Sequence, residues 1–236
     1  TPPLTGRVMS NPYITPELFL FLRELRENNT REWFNDHKVR YEQHLKEPLL
    51  DLIADFAPLL SGISPHFRAI PKVSGGSLFR IYRDVRFSKN KSPYKTHASV
   101  HFRHEQAKDV HAPGYYLHIE PDNVFLGLGL WRPENSILTK IRSAIATDPE
   151  LWEDILDANR FKNEFPLQGE SLKRPPKGFD PEHRYINDLK RKDFMGVAQI
   201  TEEIALRPDV LPLIAQTWEK GSPFMSFLAE SVGIPF

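Results

Sequence analysis

The chain has 236 residues, 40% of them hydrophobic and 26% charged, values ordinary for a folded domain and too apolar for a disordered one. Thirty-one Lys and Arg balance thirty-one Asp and Glu, which excludes a globally basic nucleic-acid coat while leaving room for a local patch. Cysteine is absent, so disulfides, thiolate catalysis and every Cys-based metal site are excluded.

No run of 18 or more apolar residues occurs, so no transmembrane helix and no membrane association are expected. No basic leader with an apolar core and small-residue cleavage site is present either. A cytoplasmic location is the expectation, with a mature exported protein as the alternative.

Residues 1–13 read as a lead-in, and 14–236 as a single domain without an interdomain linker. Thr15-Pro16-Glu17 supplies an N-cap, a first-turn proline and an acidic first turn. Leu18, Phe19, Leu22 and Leu25 follow at helical spacing, and Asn28-Asn29 closes the element. Thr30 caps a second helix bearing Trp33, Phe34, His37, Tyr41 and Leu45, and Pro48 opens a third.

The period then changes from helical to two. Ala98, Val100 and Phe102 alternate with His97, Ser99, His101 and Arg103. Tyr115, Leu117 and Ile119 alternate with Tyr116, His118 and Glu120, and Val124–Leu130 alternates after a Pro121-Asp122-Asn123 turn. This pattern is a β-meander with one face packed on helices.

Helical stripes return at Ile137–Ile145, after Asp148-Pro149-Glu150 and after Asp180-Pro181-Glu182. Phe194–Ile200 reads as one more strand, and Pro208–Lys220 and Pro223–Val232 as closing helices. Helices, a run of strands and helices again predict an α+β fold. Its central, mainly antiparallel sheet has about five strands packed by N- and C-terminal helices.

Charge is segregated along this frame. Residues 71–110 carry nine Lys and Arg against Asp84, Glu105 and Asp109, an excess that asks for a reason. If Leu78–Phe87 is extended, Arg80, Tyr82, Asp84 and Arg86 share one face, and Arg83 is a lone charge on the other. If it is helical, Arg80, Arg83 and Arg86 form one ridge.

Either way the cations converge, and guanidinium forks match phosphate or carboxylate oxygens two at a time. Lys91, Tyr94 and Lys95 add point charges and a hydroxyl beside them. A structural network is the competing reading, with Asp84 pairing one arginine and Glu120 or another carboxylate taking Arg83.

The stretch RIYRDVRFSKNKSPYK closely resembles the signature of the bacterial domain-of-unknown-function family 2461. Arg80, Arg83, Asp84, Arg86, Phe87, Asn90, Lys91 and Tyr94 match it position by position, and the likeness extends over roughly residues 14–230. The resemblance implies one compact domain with an important central motif. It assigns no catalytic residue.

Other chemistry is weaker. His97 and His101 stand about 13 Å apart along a strand, too far for one ion. His118 and Glu120, two residues apart, could share an ion with a ligand from a neighbouring strand. No metal-binding motif supports this, so no metal or cofactor is assigned. Nucleophile elbows and phosphate loops are missing.

Ser74-Gly75-Gly76-Ser77 could cradle an anion or simply connect elements, and Gly127 and Gly129 admit either a ligand or close packing. The basic segment at Lys173 and Arg174 could fold over the central site. The expected ligand site comprises Arg80, Arg83, Asp84, Arg86, Lys91, Tyr94, Lys95, His97 and His118, for a small phosphorylated or carboxylated molecule, with or without catalysis. The alternatives are a nucleic-acid or other polyanion binding module, and a structural ion network.

Overall fold

The computed structural model describes residues 10–107 and 113–236. Two parts of the sequence reading, residues 1–9 of the lead-in and the charges Lys108 and Asp109, lie outside the described residues. The lead-in expectation does not extend to Asn11–Tyr13. The Asn11 side chain donates to the Ala205 carbonyl and accepts from the amides of Tyr13 and Ile14, and the Tyr13 hydroxyl bonds Asp55.

The first layer is helical. α1 (Pro16–Glu27) buries Leu18, Phe19, Phe21, Leu22 and Leu25. Thr30 caps α2 (Arg31–Asp36) by accepting from the Trp33 amide, as its place before the apolar run predicts. The single helix expected over Trp33–Leu45 is broken at His37. α3 (Lys38–Tyr41) resumes there and passes through a π turn (Glu42–Lys46) into α4 (Glu47–Ile63). The break rotates the helical run so that Phe34 and Tyr41 stay against Phe21, with ring centroids 6.4 and 6.2 Å away.

The sheet is antiparallel, with six strands in the order β1-β2-β3-β4-β6-β5. β1 (Phe67–Arg68) and β5 (Leu167–Gln168) are two-residue edges. β2 (Ala98–His104), β3 (Gly114–Glu120), β4 (Asn123–Leu130) and β6 (Phe194–Ile200) form the body. The period-two alternation therefore marks the four long strands within two residues of their observed ends.

α5 (Asn135–Thr147) and α6 (Pro149–Asp157) follow the meander, with Asp148 capping α6 through the Leu151 amide. α7 (Phe161–Glu164) leads into β5. The helix expected to begin at Asp180 does not form. The Asp180 side chain takes the Glu182 amide in a local turn, and only α8 (Ile186–Leu189) follows. α9 (Glu202–Ala205), α10 (Val210–Glu219) and α11 (Ser222–Val232) close the chain.

The side chains of Val100, Phe102, Tyr115, Leu117, Ile119, Val124 and Leu126 are fully buried and join one continuous core cluster with Phe56, Trp152, Trp218 and Phe224. Burying each such side chain contributes roughly 1.5–3 kcal/mol, so this face fixes the register. Register in turn fixes the other face. Ser99 stands opposite His118, His101 opposite Tyr116 and Gly127 opposite Tyr116 across the next ladder.

Candidate functional site

The basic motif forms an irregular hairpin laid on the free edge of β2. The Phe79 amide donates to the Ser99 carbonyl, and the His101 amide donates to that of Ser77. Further out, the Arg83 amide bonds the Pro93 carbonyl and the Lys95 amide bonds the Ile81 carbonyl. The extended reading of Leu78–Phe87 therefore describes the hairpin well. Ile81 is buried and Phe79, Arg83 and Val85 are half-buried, while Arg80, Tyr82, Asp84 and Arg86 are exposed on the opposite side. Leu78, buried although it falls in register with the exposed set, breaks the alternation. Phe87 also departs from the pattern, at 96% exposed.

At the hairpin base, Tyr94 is buried and stacks on Phe34 at 4.0 Å between ring centroids. Its amide and carbonyl are both held by the Asn29 side chain at 3.0 Å. Tyr94 is thus a structural pin between the helical layer and the motif.

At the tip, charges are satisfied locally. Arg86 bonds both Asp84 carboxylate oxygens, at 3.0 and 2.7 Å, and Lys91 donates to the Val85 and Arg86 carbonyls. The Arg86 side-chain and backbone bonds hold the Asp84 carboxyl down at about 2. Asp84 pairs an arginine as the network reading expects. Glu120 does not take Arg83, because it bonds His118 and Thr96 instead.

Beside the hairpin, the solvent-facing side of the sheet carries a cavity of about 450 Å³. Phe79, Phe125, Trp131 and Met195 form its apolar wall, and Lys95, His97, Ser99, His101, Tyr116 and His118 supply polar groups. Two glycines line it. A Cβ on Gly114 would lie 2.5 Å from His101 Nε2. Gly129 has φ +117° and would place a Cβ 2.0 Å from the Phe194 carbonyl oxygen, so backbone geometry requires glycine there.

Lys95 is half-buried, with Nζ on the Arg80 carbonyl at 2.8 Å and 5.2 Å from the Phe79 ring centroid. Burial, with the nearby Arg80 charge, lowers its pKa. Among the described residues no carboxylate pairs with it. Burial, reinforced by the neighbouring His118 ring, drives the His97 pKa down to about 4, and burial takes His101 to about 4 as well. Both rings are neutral near pH 7.

His97, His118 and Glu120 meet at the upper end of this cavity. The His97 and His118 ring centroids are 4.5 Å apart, and His118 Nε2 lies 3.1 Å from Glu120 Oε2. One ligand atom from each of the three falls within 4.8 Å of the others. The Tyr116 hydroxyl is 3.0 Å from His118 Nδ1, and Thr96 Oγ1 and Asn123 Nδ2 lie 3.2 and 3.4 Å from the Glu120 oxygens. Burial lowers the His118 pKa, while burial of Glu120 is outweighed by its hydrogen bonds from His118, Asn123 and Thr96, which keep its carboxyl below the usual range.

A second, smaller cleft of about 230 Å³ lies between α2 and the hairpin, lined by Arg31, Asn35, Tyr82, Arg83, Val85, Pro93 and Tyr94. Of the expected ligand residues, the fold thus gathers Lys95, His97 and His118 at the large cavity and Arg83 and Tyr94 at the small cleft. Arg80, Asp84, Arg86 and Lys91 line neither. Lys173 and Arg174 also line neither. The Ser74–Ser77 turn is tied to Ile70, with the Ser77 amide on its carbonyl and the Ser77 hydroxyl accepting the Ile70 amide.

Strand alternation places His97, Ser99 and His101, and Tyr116 and His118, on the open face. Phe79, Trp131, Met195 and Arg31 carry no comparable signal, because only the tertiary fold brings them to a cavity wall.

Fold and site define an α+β protein with an open antiparallel sheet, a histidine-lined cavity on its exposed face and a basic hairpin along one edge. The chain belongs to DUF2461, a family of conserved hypothetical proteins, whose pattern matches residues 17–227 and so includes the whole hairpin. No curated protein matches the chain. Among the described residues, no helix is long and apolar enough to cross a membrane.

Proposed function

We propose that the cavity binds a small molecule with an apolar body and a carboxylate or phosphate head. Lys95 carries this reading. It is a cation half-withdrawn from water, facing an apolar chamber, with no carboxylate partner among the described residues. Desolvating a charge without a counter-ion is costly, and an incoming anion offsets that cost. The neutral imidazoles of His97 and His101 and the hydroxyl of Tyr116 give the head hydrogen-bond partners. The aromatic wall takes the body, and the volume suits a small ligand.

Thermal-shift titration with benzoate, phenylacetate, dicarboxylates, sugar phosphates and inorganic phosphate tests this reading. A ligand that binds only the folded state raises Tm by mass action. At least one acid should raise Tm in the wild type and fail to do so in Lys95→Met. No shift with any acid, or an undiminished shift in Lys95→Met, would overturn the reading.

A polyanion-binding module is the second reading, favoured by the hairpin tip. Phe87 is 96% exposed, with the Arg86 guanidinium 5.8 Å from its ring centroid and Arg80 exposed nearby. An exposed ring among cations suits base stacking. That reading predicts oligonucleotide binding that weakens steeply with salt and is lost in the Arg86→Ala/Phe87→Ala double variant.

A further inference from the structure

We propose that His97, His118 and Glu120 bind one divalent first-row transition-metal ion at the wall of the cavity. The three residues come from two adjacent elements, with His97 one residue before β2 and His118 and Glu120 on the same face of β3. The β2–β3 register pairs Ala98 with Ile119, which carries His97 to the level of Glu120.

The distances suit an ion. Two ligand atoms, each about 2.1 Å from a metal, stand about 3.0–3.4 Å apart in octahedral or tetrahedral arrangement. The His118 Nε2–Glu120 Oε2 separation of 3.1 Å lies in that interval. His97 has a ligand atom within 4.8 Å of the other two, so a modest turn of its partly exposed ring completes the set. Two imidazoles and one carboxylate suit zinc, iron(II), manganese(II) or cobalt(II), and leave coordination positions for water or a ligand.

A supporting shell is already present. Tyr116 sits on His118 Nδ1, the nitrogen that points away from Glu120, and Thr96 and Asn123 hold the Glu120 oxygens. Metal-bound histidines and carboxylates are oriented in this way by their outer partners. Binding through His118 Nε2 requires its proton to pass to Nδ1, where it is donated to the Tyr116 oxygen. Proton count on the ring is unchanged.

His97 and His118 line the cavity, so the open coordination positions face the chamber. The charge balance then gives the ion a purpose, a consequence that rests on the proposed function. Glu120 supplies one negative charge against the ion's two positive ones, and Lys95 and Arg83 add more positive charge near His97. An anionic head seated at Lys95 would complete both the coordination shell and the charge balance.

The test is calorimetric titration of the tag-free, metal-stripped protein at pH 7.5 with Co(II), Zn(II), Mn(II) and, without oxygen, Fe(II). At least one ion should bind at one equivalent per chain, with Co(II) binding visible as a ligand-field absorption band. His97→Ala and Glu120→Gln, both at partly exposed positions, should each weaken binding by more than the roughly 10–100-fold typical of an outer-shell change. Tyr116→Phe should weaken it by about 10-fold.

His44→Ala, outside both the cluster and the cavity lining, should leave it unchanged. Circular dichroism establishes that each variant is folded, and should Glu120→Gln fail to fold, His97→Ala decides alone. Failure of every ion to bind stoichiometrically, or equal binding by wild type and His97→Ala, would overturn the site. Lys95→Met separates the two proposals, because it should lose acid binding and keep the metal. Acid binding that survives without any metal binding would refute this inference and leave the proposed function standing.

Discussion

The hairpin tip and the sheet face beside it hold the same kinds of residue, yet they differ in how their charges are spent. At the tip, Arg86 is 77% exposed and doubly bonded to Asp84, and Lys91 is bound to two carbonyls of its own loop. On the sheet face, Lys95 and the cavity imidazoles are at least half-withdrawn from water, and Lys95 has no carboxylate partner among the described residues. Charge density along a sequence therefore marks where the chain organises itself. Desolvated, unpaired charge marks where a ligand has something to gain.

The sharpest break between the two regions is at the hairpin base. Tyr94→Ala removes a ring 3% exposed and stacked on Phe34, and should cost about 3–5 kcal/mol. Chemical denaturation would show it. A loss below about 1 kcal/mol would mean that the hairpin is not anchored through this ring.

Acid stability separates the regions next. Burial and the Arg103 charge hold the His101 pKa near 4 in the fold, against about 6.5 when unfolded. The unfolded chain then binds the extra proton between these values, so the contribution of His101 is fully present above about 6.5 and lost as pH falls toward 4. Its size is at most about 3.5 kcal/mol. Denaturation midpoints of wild type and His101→Phe should diverge in slope over that window, with the variant flatter. Parallel slopes would place His101 in water.

Lys95→Met should leave stability unchanged or raise it by up to about 1 kcal/mol, since it removes a charge that burial disfavours. Arg86→Ala breaks an exposed ion pair and should change stability by less than about 1 kcal/mol, with acid-induced stabilisation intact. A large stability loss in Arg86→Ala would make the tip a structural network. Phe87→Ala, at a side chain with almost no contacts to lose, should fall within about 0.5 kcal/mol of wild type by the same denaturation curves.

Much of this fold is legible in the sequence because its long strands obey strict alternation. Ala98, Val100 and Phe102 point to the core, and Ser99 and His101 away from it, as period two dictates. Helix starts are legible where a cap is followed by an apolar stripe, as at Thr30 and Asp148. Asp180 shows the limit. The stripe expected behind its start signal amounts to Tyr185, Ile186 and Leu189, so the chain makes a turn and then one short helix. The break at His37 is equally hidden, since it goes with the packing of Phe34 and Tyr41 against Phe21 of α1.

The site was legible in part. The residues Lys95, His97 and His118 are visible as polar members of the motif and of the alternating strands. Their assembly is not, because it depends on the β2–β3 register and on where the hairpin lands along β2. Nothing local to Trp131 or Met195 tells that either borders a chamber. Long-range placement, rather than residue type, is the missing information.

Histidine-selective NMR tests the central claim most directly, since the nine histidines include three that line the cavity and others, such as His44 and His183, that do not. The acid giving the largest thermal shift would be titrated into protein labelled in its imidazole rings. The account predicts that His97, His101 and His118 resonances move in proportion to occupancy while His44 and His183 stay fixed. Saturating binding with the three cavity histidines unmoved would contradict it.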